Sequence, residues 1–107
     1  MGSQEPKTLI SKFSGSGWSS WSRDLKMVLM HQGLWSCIAS RGAPGTDSTE
    51  REKRLWEERQ EKALATIYLH LEARVQAHLD GIFDPKLAWE RLNFIYAKPL
   101  LLRNMQL

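Results

Sequence analysis

Trp21, Leu25, Val28 and Leu29, continued by Gln32, stand at i, i+4, i+7, i+8 and i+11 along the chain. This is the period of a helix with one face turned towards a core, and it constrains the fold more than any other feature. No stretch of strand length alternates apolar and polar residues, so a sheet has no period-two segment to be built from. Ser19 or Ser20 is expected to cap the first turn through its hydroxyl. Gly33 stops the helix, and Leu34-Trp35-Ser36-Cys37-Ile38 forms a short second element.

The segment Arg41-Gly42-Ala43-Pro44-Gly45-Thr46-Asp47 is punctuated as a loop. Thr49-Glu50-Arg51-Glu52 then reads as a capping box, in which the Thr49 hydroxyl and the Glu52 carboxylate each take the other residue's backbone N–H. A long helix is predicted over 50–71, with a charged first half facing solvent. Its buried stripe is Trp56, Ala63, Leu64, Ile67 and Leu71. Val75 and Leu79 mark a further amphipathic turn or two, ended by Asp80-Gly81. Asp84-Pro85 opens the last complete helix: Asp caps, and Pro takes the first position, where no N–H is required. That helix carries Ala88, Trp89, Leu92, Ile95 and Tyr96 on one face. It is expected to end near Lys98, because Pro99 disfavours helical geometry in the residue before it. A new helix is expected to begin at Leu100 and to continue in a longer protein. The expected fold is all-α, a small bundle of about five to six helices.

A chain of 107 residues suits one domain, read as a flexible lead over 1–12 and a helical domain over 13–107. Fifteen basic and twelve acidic residues leave a net charge of +3 and are interleaved, as in Glu50-Arg51-Glu52-Lys53-Arg54, so no nucleic-acid arm is visible. No apolar run approaches the roughly 20 residues that span a bilayer. Residues Met1 to Pro6 lack the apolar core of a signal peptide, and Pro6 breaks a myristoylation pattern. Cys37 is the only cysteine, so an intrachain disulfide and a cysteine-based zinc site are excluded. A single thiol suits a reducing compartment, and a cytoplasmic location is expected.

No residue pattern points to catalysis. His31, His70 and His78 are scattered, which leaves no metal-ligand set. Gly15-Ser16-Gly17 precedes a helix, but it has no strand before it and no Gly-Lys-Ser/Thr after it, so it is not a nucleotide-binding loop. Ser14 to Ser22 hold no nucleophile elbow. Cys37, between Trp35 and Ile38, reads as a small buried hydrophobe. The five tryptophans could stack nucleic-acid bases, but their helical spacing favours a core role. No cofactor and no small-molecule substrate are expected.

The order of these residues resembles Gag proteins of Ty1/copia-type LTR retrotransposons. That family opens with a pattern like Phe-x-Gly-x-Asn-Tyr-x-x-Trp and runs into a helix that ends Gly-Leu-Trp. Here Phe13, Gly15, Trp18 and Trp21 stand in that order, followed by Gly33-Leu34-Trp35. A charged segment with Trp56 leads to Ala63 and Ile67, and Ala88-Trp89, Leu92 and Tyr96 match the closing Ala-Trp-x-x-Leu-x-x-x-Tyr. Gly17 and Trp18 replace a usual Asn and Tyr, keeping a turn residue followed by an aromatic. The resemblance covers residues 9 to 107.

It implies the N-terminal lobe of a retrovirus-like capsid, from a mobile element or a domesticated descendant. Such a lobe self-associates into oligomers or virus-like particles. Element RNA would be held by a downstream region, because no Cys/His knuckle occurs here. The expected partner is a second copy of the chain. Met27 and Met30, off the buried stripe of the first helix, and Arg51, Arg54 and Glu58 on the charged helix are the candidate self-association surfaces. The alternative is a helical adaptor that binds another protein without assembling. A helix-turn-helix DNA binder would need a basic recognition helix, and Lys86, Arg91 and Lys98 are too few.

Overall fold

The computed structural model describes residues 10–105, and of residues 98–105 the backbone alone. Five α-helices follow one another: α1 Trp18–His31, α2 Trp35–Ala39, α3 Glu50–Leu69, α4 Ala73–Gln76 and α5 Pro85–Met105, with a 3-10 turn, Ala77–Leu79, between α4 and α5. Among the described residues there is no strand. The molecule is a small all-α bundle.

The local signals act where the sequence sets them. α1 closes on Gly33, whose φ of 75° is costly for any residue with a Cβ. Gly33 N donates to Met30 O at 3.0 Å and Leu34 N to Leu29 O at 2.8 Å, a Schellman closure that brings two buried leucines together. At α3 the Thr49 hydroxyl accepts from Glu52 N at 3.1 Å, and the Glu52 carboxylate accepts from Thr49 N at 2.9 Å. Asp84 Oδ1 accepts from Lys86 N at 2.8 Å and opens α5.

Leu25 and Leu29 of α1, Cys37 and Ile38 of α2, Ala63 and Ile67 of α3, Val75 of α4, and Ala88 and Leu92 of α5 form one core, completed by Leu34, Leu71 and Leu79. Each large apolar side chain buried there contributes roughly 1.5–3 kcal/mol. Phe13 and Trp18 belong to it as well.

Four expectations need correction. Neither Ser19 nor Ser20 caps α1. The N-cap is Gly17 in left-handed geometry, with no side-chain hydrogen bond, and both serines lie inside the helix. α3 stops at Leu69 rather than 71. Phe13 N donates to His70 O at 2.8 Å and Glu72 N to Phe13 O at 3.0 Å, a parallel bridge between Phe13 and Leu71 that draws the backbone out of the helix. α5 does not end near Lys98 but runs through Pro99 to Met105. Proline there removes one i→i−4 hydrogen bond, a cost of roughly 3 kcal/mol. The helix is already nucleated at that point, and Leu100, Leu101, Leu102, Arg103 and Met105 are strong helix formers that carry it onward. Leu100 therefore continues α5 and starts no new helix. The flexible lead over 1–12 lies outside the described residues up to position 9. Ile10 packs against the core, and Ser11 O accepts from Trp21 Nε1 at 2.8 Å, so the docked segment begins before Phe13.

Candidate functional site

The residues that carry the resemblance converge in space. Phe13 meets Trp18 edge-on at 5.3 Å between ring centroids, Tyr96 edge-on at 4.9 Å, and Trp21 at 4.9 Å. Trp18 continues the cluster to Trp89 at 5.8 Å, and Trp89 meets Trp35 at 5.2 Å. Offset and edge-to-face pairs at such distances are favoured by the ring quadrupoles. Trp18 Nε1 donates to Asn93 Oδ1 at 3.0 Å, which satisfies its polar end. Phe13, Trp18, Leu34, Ala63, Ile67 and Leu92 are buried, while Trp21, Trp35, Trp56, Trp89 and Tyr96 are partly buried against them. Trp18 thus lies in the core, and the other four tryptophans pack against it.

The candidate self-association residues lie on outward faces. Met27 and Met30, three apart on α1, are each about half exposed, at 51% and 49%. Arg51, Arg54 and Glu58 are exposed at i, i+3 and i+7 on α3 and share one face. The two sets sit on different helices, α1 and α3. Larger exposed apolar groups escaped the sequence reading: Phe83 at 85% and, on the outer side of α5, Phe94 at 67% and Leu87 at 54%. The seven-residue spacing of Leu87 and Phe94, on the face opposite Ala88 and Leu92, was the available signal.

Two arginines act where the sequence offered no clue. Arg59 on α3 donates to the Gly33 carbonyl and to Ser36 Oγ, tying the charged helix to the start of α2. Arg74 Nη2 donates to Ser14 O at 2.6 Å. Cys37 is buried. Desolvation raises its thiol pKa above the usual 9.0, and the charge of Arg59 opposes that rise.

Two surface depressions stand out among the described residues. One, of about 460 Å³, is lined by Ser14, Gly15, Ser16, Arg74, His78 and Tyr96. The other, of about 320 Å³, lies where Gly42 and Pro44 of the loop pass Leu55, Trp56 and Arg59. Among the described residues, no group of three His, Cys, Asp or Glu side chains could hold a metal ion, and no helix is long and apolar enough to cross a membrane. Comparison of the chain with models of known protein families, with curated proteins and with solved structures found no match.

Proposed function

We propose that the chain is a self-assembly domain of the retrotransposon Gag capsid type, whose partner is a second copy of itself. The observation that supports this reading is the aromatic cluster. Phe13, Trp18 and Trp21 from the opening pattern pack with Trp89 and Tyr96 from the closing one. Residues that look like loose sequence matches therefore form one physical unit. On this reading the core is a rigid support and the outer faces make the contacts between copies. Heterologous contacts that close give rings or shells, and each can be weak because many act together.

The Met27–Met30 face suits such a contact, since flexible thioethers adapt to a partner at little cost. Light scattering over a wide range of concentration tests this. The molar mass should rise with concentration, and Met27→Ser with Met30→Ser should suppress that rise while leaving the helical content unchanged. Undiminished assembly in the double variant would remove the α1 face. A monomer at every concentration would favour an adaptor that binds a different protein. RNA would be bound by another region of the Gag protein, in the cytoplasm.

A further inference from the structure

Gly15-Ser16-Gly17 lacks the local residues of a nucleotide-binding loop, but the fold brings a guanidinium and an imidazole to it from elsewhere. Arg74 of α4, sixty residues from Ser14, reaches the Ser14 carbonyl at 2.6 Å. His78 follows from the 3-10 turn, with its ring edge-on to Tyr96 at 5.8 Å. Together with Ser14, Gly15 and Ser16 they line the depression of about 460 Å³. Its wall offers a guanidinium, an imidazole and three hydroxyls, and no carboxylate lines it.

Several details suit this wall to an anion. Arg74 gives a hydrogen bond to Ser14 O and keeps further N–H donors of its five for a ligand. Arg91 Nε donates to the His78 carbonyl at 3.3 Å, so a second guanidinium stands close by. Gly15 has φ +115°, and a Cβ there would lie 3.8 Å from both Arg74 Nη2 and the Tyr96 ring, so its missing side chain leaves the wall open. The loop runs directly into the first turn of α1, whose N-cap Gly17 offers no side chain to the free amides.

We propose that this depression binds a phosphate oxyanion, either free phosphate or a phosphate monoester. Arg74 would be the principal donor, and His78 and the serine hydroxyls would complete the set. Guanidinium and phosphate match in geometry as well as charge.

The test is an NMR titration of the isotope-labelled chain with inorganic phosphate, and in parallel with methyl phosphate, at constant ionic strength set by sodium chloride. Saturable shifts are expected at the Ser14, Gly15 and Ser16 amides and the His78 ring. Tighter binding of methyl phosphate would identify a monoester site, and tighter binding of inorganic phosphate a site for the free anion. Arg74→Gln should weaken binding about tenfold through loss of a charge-assisted bond. Because Arg74 also anchors Ser14, His78→Gln is the second variant, with an expected loss of about threefold for an exposed contact. Shifts that never saturate, that spread over the other basic surface, or that persist unchanged in both variants would overturn the proposal.

Discussion

Truncating Phe13 to alanine probes the structure most directly. Its side chain is only 1% exposed and touches Trp18, Trp21 and Tyr96. Removing a fully buried phenylalanine ring costs about 3–5 kcal/mol, combining lost transfer energy with the cavity left behind. A domain of this size has a total stability of about 5–15 kcal/mol. At roughly 4–8 °C per kcal/mol, a loss near 4 kcal/mol lowers the melting temperature by about 15 °C or more. The backbone bridge to His70 and Glu72 does not involve the ring, so the loss isolates packing. Urea unfolding followed by circular dichroism and tryptophan fluorescence measures it, and the m-value should not change. Phe83→Ala is the matched control: Phe83 is 85% exposed, and its loss should stay within about 0.5 kcal/mol. A Phe13→Ala loss below about 1 kcal/mol would refute the view that the segment before α1 is part of the core.

Two smaller predictions follow from single sites. Thr49→Ala removes the hydroxyl that accepts the Glu52 amide and should cost about 1 kcal/mol in urea unfolding. Burial raises the Cys37 pKa in the folded state, so the native protein holds the thiol proton more tightly than the unfolded chain. Stability from this group is complete below the unfolded thiol's pKa and is lost as pH rises through the folded one. Thermal melts on the alkaline side of 9.0 should therefore fall more steeply for the natural chain than for Cys37→Ala.

The features legible in the sequence are those decided within a few residues. The Thr49–Glu52 box, the Gly33 stop and the Asp84-Pro85 start each depend on one turn of chain, and each forms as its spacing dictates. The features that escaped depend on distant partners. Leu71 has the periodicity to extend α3, but Phe13 claims the backbone around it. Arg59 sits in a charged run that reads as solvated, yet it bonds Gly33 and Ser36. Gly17 displaces Ser19 and Ser20 at the start of α1 because Trp18 must already be helical to reach the core. The depression beside Gly15 was illegible for the same reason, since Arg74 and His78 arrive from α4 and the turn after it.

The bridge between Phe13 and Leu71 also bears on the order of folding. It joins the strand-like approach to α1 with the exit from α3, and so encircles three helices within one closed loop of chain. Closing a loop that long carries an entropic cost that only contacts made at closure can offset. The approach segment has no helix of its own to form beforehand, and its aromatic partners come from both ends of the sequence. Such a segment is expected to act as a latch, fastened late and released early: the Phe13 and Glu72 amides should lose their exchange protection before those of Leu29 or Ile67, which hydrogen exchange followed by NMR would check.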